Sequence, residues 1–215
     1  MKKRWKKMYR LFTIVTCFFL LYGTTCLAIG TEITDSSLIN DLQKGGYTLY
    51  IRHGDATVGE DQQSIDLTDC TTQRNLSAKG KEEAEKYGIA IRKLNIPVYI
   101  PVEASPLCRT LQTAQIAFGD QAVKVNDFWL DIYKLSQHPT NEIVERTLQA
   151  FTKQVEQTPP NQFNRVIIAH SFPPGMELGQ LSNMETVIIK PLGNDKGYKM
   201  VGKLTLEDML RLAGM

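Results

Sequence analysis

The chain has 215 residues, 42% of them hydrophobic and 22% charged, with four cysteines and a formal net charge of +2. That is enough chain for one globular domain with a substantial core, and it excludes a disordered polymer, a collagen-like repeat and a disulfide-dense miniprotein. The positive charge is local, because six of the 25 basic residues lie in the first ten positions and residues 1–28 hold no acid. The remainder carries 19 basic against 23 acidic side chains, a balance of −4. With no basic aromatic stripe either, that balance argues against nucleic acid as a partner.

Lys2, Lys3, Arg4, Lys6, Lys7 and Arg10 precede an uncharged run from Leu11 to Tyr22, then Gly23, Thr24 and Thr25. Cys26-Leu27-Ala28 offers a cleavage point after Ala28, so residues 1–28 read as a secretory signal and 29–215 as the folded domain. The uncharged stretch continues to Ile29, long enough to stay as a membrane anchor, and Cys26 could instead carry a lipid. On each reading the domain is exported: secreted, periplasmic or on the cell surface, meeting a membrane only through this segment. Cleavage would remove Cys17 and Cys26, leaving Cys70 and Cys108. Two cysteines in an exported domain permit a single disulfide, and their spacing alone leaves two isolated thiols equally open.

The elements alternate along the chain. Asp35 or Ser36 can cap a short amphipathic helix through Gln43, stopped by Gly45-Gly46. Tyr47 to Ile51 is a β-rich run suited to a buried strand, and a polar loop follows from Gly54 to Asn75. Ser77 caps a helix through about Leu94, with Ala84, Tyr87, Ile91 and Leu94 at helical spacing. Val98 to Val102 reads as a second strand that Pro101 makes irregular or ends early. Pro106 opens a helix through about Phe118, and Ala122 to Val125 is a short third strand. Thr140 or Asn141 starts a helix through about Gln157, ended by Pro159-Pro160, and Arg165 to Ala169 is the clearest strand. Thr186 to Lys190 and Tyr198 to Leu204 form a hairpin pattern around Gly193 to Gly197, and Thr205 caps a last helix. The expectation is a single three-layer α/β domain, a mostly parallel central sheet flanked by helices, with a C-terminal hairpin.

Two of the three histidines follow apolar strands: His53 after Ile51-Arg52, and His170 after Ala169. Adjacent parallel strands end on one edge, where open α/β folds place their ligand crevice. Ser105-Pro106-Leu107-Cys108-Arg109 puts an arginine in the first turn of a helix, a placement the helix dipole opposes unless an anion lies nearby. Arg52, Arg109, His53, His170 and a helix N-terminus together describe a phosphate pocket, since guanidinium matches phosphate oxygens in a planar, bidentate way. His138, before Pro139 in a polar stretch, reads as an ordinary surface histidine. No group of His, Cys and carboxylates has metal-ligand spacing, and the chemistry calls for no cofactor.

Leu49-Tyr50-Ile51-Arg52-His53-Gly54 resembles the RHG signature of the histidine phosphatase superfamily, whose fold is phosphoglycerate-mutase-like. Four further segments follow in the same order: Arg74-Asn75-Leu76-Ser77-Ala78-Lys79-Gly80; Ser105-Pro106 through Arg109 to Gln112-Thr113-Ala114; Ile168-Ala169-His170-Ser171; and Lys190-Pro191 through Val201-Gly202. The resemblance spans residues 38–210. It implies a phosphatase in which His53 attacks phosphorus and becomes a phosphohistidine, while Arg52, Arg109 and His170 hold the phosphoryl oxygens. For the acid that protonates the leaving oxygen, Asp131 lies closest to the place the family gives a carboxylate, with Asp127 and Asp55 as rivals. If none serves, leaving groups that depart without a proton are favoured. The Asp66–Cys70 and Cys108-Arg109 segments resemble a small exported bacterial subgroup, which implies a Cys70–Cys108 bridge and a phosphorylated small molecule or cell-envelope phosphosugar as substrate. The alternative class is a catalytically weak surface module that binds phosphate or a phosphosugar in the same pocket.

Overall fold

The computed structural model describes residues 35–215; the leader, with its cleavage and anchoring readings, lies outside the described residues. The described elements are α1 (Asp35–Leu42), β1 (Thr48–Arg52), α2 (Ala78–Lys93), β2 (Val102–Ala104), α3 (Cys108–Phe118), β3 (Val123–Val125), α4 (Phe128–Lys134), α5 (Asn141–Val155), β4 (Arg165–Ala169), β5 (Thr186–Pro191), β6 (Tyr198–Leu204) and α6 (Leu206–Leu212). The strands form one sheet in the order β3-β2-β4-β1-β5-β6. The first three pairings are parallel, and β1–β5 and β5–β6 are antiparallel. The α/β class, the parallel majority and the C-terminal hairpin all agree with the sequence reading.

Alternation along the strands divides the core in two, as a side-chain period of two requires. Leu49, Ile51, Val166, Ile168 and Ile188 face a layer made by α1, α2, α3 and α6, through residues such as Leu42, Ile91, Ala114 and Met209. Tyr50, Ile167, Ala169, Val187 and Ile189 face α4 and α5, through Trp129, Ile132, Phe151 and Val155. Both faces of β1 and β4 are covered, which is why these strands read as unbroken apolar runs. Ser77, Thr140 and Thr205 cap α2, α5 and α6 by accepting from backbone N–H groups, and Thr205 with Asp208 completes a capping box.

One expectation about elements needs correction, and one element goes unread. The second strand does not span Val98 to Val102: Val98 makes only an isolated bridge to Asn164, and the paired strand begins at Val102. Pro101 has no N–H to give the ladder, so pairing starts after it. The stretch from Phe128 to Lys134, to which the sequence reading assigns no element, forms α4, held by burial of Trp129 and Ile132.

Close approach positions α2. A Cβ on Gly80 would sit 2.0 Å from the Asp55 carbonyl oxygen, and one on Gly88 would sit 2.2 Å from that of Ala117. Only glycine lets α2 lie against both the chain that leaves β1 and the end of α3. Ser77 strengthens the first contact, its hydroxyl donating to Asp55 Oδ2 at 2.6 Å and its N–H to the Asp55 carbonyl at 3.0 Å.

Candidate active site

Strands β1 and β4 are in register with Arg52 opposite Ala169, so the next residues, His53 and His170, emerge side by side. The His53 N–H donates to the Ala169 carbonyl at 3.1 Å, and the two imidazoles lie 5.5 Å apart between centroids. The chain leaves β1 for β2 on the far side of β4, which makes the β1/β4 edge the switch point of the sheet. A cavity of about 940 Å³ opens there. Arg52, His53, Arg109 and His170 all line it, as does Arg74.

His53 is buried, and its Nδ1 lies 2.7 Å from the Gly54 carbonyl oxygen. A carbonyl only accepts, so Nδ1 carries the proton and Nε2 keeps its lone pair. Burial, then Arg109, then Arg52 and Arg74, lower its pKa to about 3, against the opposing effect of the Gly54 bond. The imidazole is therefore neutral at physiological pH. Burial, His53, Arg109 and Arg52 likewise hold His170 well below the ordinary histidine value. His170 Nε2 lies 2.9 Å from Ser105 Oγ, and its carbonyl accepts from the Tyr50 hydroxyl at 2.7 Å.

The guanidiniums are each held by oxygens. Arg52 donates from Nη1 to the Leu181 carbonyl at 2.6 Å, and Arg74 from Nε to that of Thr57 at 2.8 Å. Arg109 forms a forked pair with Asp61, Nη1 to Oδ1 at 2.9 Å and Nη2 to Oδ2 at 3.2 Å, both side chains nearly inaccessible. A further Nη1 bond reaches the Arg74 carbonyl at 3.4 Å. Of five N–H donors, Nε–H and one on Nη2 stay available for a ligand. Tyr133 closes the group: its hydroxyl donates to Asp61 Oδ2 at 2.8 Å, and its ring faces the Arg109 guanidinium at 5.2 Å and His170 at 5.4 Å. Burial pushes the Asp61 carboxyl up but is outweighed by the Arg74 N–H, the Arg109 charge and the Tyr133 hydroxyl, so its pKa lies below the usual range.

Asp61 comes from the long loop after His53, which is cross-linked to α3 by a disulfide between Cys70 and Cys108, with Cα atoms 5.8 Å apart. The Cys108 N–H at the start of α3 is taken by Gln73 Oε1 at 2.8 Å, so this helix-terminal donor serves the loop and not the cavity.

The acid expected from sequence is not gathered here. Asp131 does not line the cavity; it lies on α4, half exposed, paired to Lys134 at 2.8 Å. Two residues apart on α4, Asp131 and Tyr133 lie on opposite faces of the helix, and only Tyr133 lines the cavity. Asp127 is also outside the lining, and Asp55 is spent on Ser77 and Asn183. Among the described residues no carboxylate lines the cavity. His138, read as a surface residue, is exposed but forms part of the wall. Arg74, Asp61, Tyr133 and Ser105 are site residues that sequence reasoning missed. Arg74 does stand in a motif, but the pattern there marks only the start of a helix.

The fold has solved counterparts among phosphatases and hydrolases. A proposed alpha-ribazole-5'-P phosphatase from Escherichia coli K-12 matches with a TM-score of 0.54 at 14% identity, covering 75% of this chain and 98% of its own. Mycobacterial hydrolase 1 matches at 0.50 and 14%, covering 73% and 97%. The protein histidine phosphatase SixA, solved with tungstate, gives 0.49 and 16%, covering 76% and 99%. No protein-family model and no curated protein matches the sequence. At such identities the first two likenesses carry the fold alone, and activity has to be argued from the site.

Proposed function

We propose that the protein is a phosphatase that hydrolyses phosphomonoesters through a phosphohistidine on His53. The observation that carries this is a buried, neutral imidazole, proton-bearing on Nδ1 and bare on Nε2, set among Arg52, Arg74 and Arg109. The Nε2 lone pair attacks phosphorus, and the bond from phosphorus to the leaving oxygen breaks. Water then attacks the phosphohistidine, the N–P bond breaks, and inorganic phosphate leaves with the imidazole neutral again. Three guanidiniums line the cavity, one neutralised by Asp61, so two positive charges face a phosphate dianion and the charge that spreads over its oxygens. The Ser105 hydroxyl can donate to His170 Nε2, which leaves Nδ1–H as the His170 donor toward a phosphoryl oxygen.

With no carboxylate in the lining among the described residues, the leaving oxygen has no carboxylic acid beside it. Aryl phosphates, acyl phosphates and phosphohistidine, whose leaving groups depart without a proton, are then the favoured substrates. Export is part of the same reading, supported by the 1–28 leader and by a disulfide suited to an oxidising compartment. Such a setting makes a cell-envelope phosphosugar or other phosphorylated small molecule the class to screen. The test is acid quench after incubation with an aryl phosphate. Phosphate released by the parent and abolished by His53→Ala supports the enzyme; no release from a broad phosphoester panel makes the chain a phosphate-binding module.

A further inference from the structure

Away from the three guanidiniums the cavity changes character. Its outer walls come from residues 135–144, leading into α5, and from residues 171–182, the loop that follows His170. Val144, Pro173, Pro174 and Met176 supply its accessible apolar surface, backed by the buried Phe172 and Leu181, and His138 is the one ionisable side chain in these two segments that lines it. The 171–181 wall is pre-formed. Ser171 Oγ donates to the Leu181 carbonyl and accepts from the Leu181 N–H, and the Phe172 N–H donates to the Gly179 carbonyl at 3.1 Å. A second groove of about 470 Å³ shares Asn141 and Val144 with the cavity and continues along α5 to Leu148. Val144 and Leu148 are four residues apart and lie on one helix face. Glu145 and Glu177 also line this groove, so an anionic group arriving there meets carboxylates.

We propose that the substrate is a phosphomonoester of an amphipathic phenol, with an uncharged apolar body laid along Val144 toward Leu148. This rests on the phosphatase reading and adds the class of leaving group. Among the described residues, a small metabolite with a second anionic group, such as phosphoserine, meets no Lys or Arg in the outer part of the cavity and two carboxylates in the groove beyond. An apolar body instead gains from leaving water, at about fourfold in affinity for each fully buried methylene.

A series of 4-alkylphenyl phosphates, from methyl to hexyl, tests this while leaving-group acidity stays constant. The expected result is a kcat/KM that rises by about twofold to fourfold per methylene and levels off once the tail passes Leu148. Val144→Asp, and independently Met176→Gln, should flatten that rise. A kcat/KM that does not change along the series, or phosphoserine turned over as well as the hexyl compound, overturns the proposal. If no member is hydrolysed, the phosphatase reading fails and the apolar site is judged separately by calorimetry on the same series. Affinity that tightens with tail length upholds the site, and equal affinity for all members removes it.

Discussion

Asp61 is the residue on which the arrangement of the guanidiniums turns, and Asp61→Ala is the most informative single change. It leaves Arg109, 2% exposed, without a counter-charge, and removes the acceptor of the Tyr133 hydroxyl and of the Arg74 N–H. An exposed ion pair would contribute at most about 1 kcal/mol, but removing one partner of a buried pair costs about 3–5 kcal/mol. Against a total stability of about 5–15 kcal/mol this is a large fraction. At about 2–4 °C per kcal/mol for a chain of this size, the melting temperature should fall by about 6–20 °C. The assay is scanning calorimetry at neutral pH, without and with inorganic phosphate. Phosphate can replace the lost carboxylate beside Arg109, so it should raise the melting temperature of the variant more than that of the parent. The Asp61 carboxyl is held below its ordinary range, so the stability it contributes is complete above the unfolded value near 4 and disappears as pH falls through the folded one. The gap between parent and variant should therefore close in acid. A variant that melts with the parent, or that gains no more from phosphate, would show that Asp61 does not hold Arg109.

Three further outcomes follow from the same geometry. His53, with a pKa lowered to about 3, stays neutral in the fold where the unfolded chain takes up a proton. It should therefore cost stability at about 1.4 kcal/mol per pH unit as pH falls from about 6.5 toward 4, and His53→Gln should reduce the slope of urea midpoint against pH. Gly80→Ala drives a methyl into the Asp55 carbonyl and should cost about 1–3 kcal/mol while lowering kcat, because the moved backbone adjoins His53; unchanged denaturant midpoints would show that α2 can withdraw freely. Asp131→Asn should leave turnover of aryl and alkyl phosphates within about twofold of the parent, as expected of an exposed residue paired on its own helix. A loss confined to alkyl phosphates would return Asp131 to the mechanism.

What the sequence makes legible, and what it hides, follows from how local each cause is. β4 can be read residue for residue because both its faces are buried, and a short unbroken apolar run bounded by polar residues is the pattern such a strand requires. The caps at Ser77, Thr140 and Thr205 are legible because a hydroxyl and an amide three residues on suffice to make them. His53 and His170 follow from strand ends that parallel pairing brings together. By contrast, α4 is seven residues long and owes its helix to Trp129 and Ile132 packing against a sheet that forms elsewhere in the chain. The wall role of His138 likewise depends on where α5 is anchored, which no local pattern records. Asp61 is one of five acids in the polar loop after Gly54, and nothing near it in sequence distinguishes it from Glu60, Asp66 or Asp69. Its partner is set by the path of a loop cross-linked through Cys70 to the residue before Arg109. Even so, one local sign points to it. An arginine in the first turn of α3 opposes the helix dipole and calls for an anion, and burial makes that requirement stricter. Phosphate is the anion that such a pocket suggests, but a fold that must be stable before substrate arrives needs one of its own, and here it is the carboxylate of Asp61.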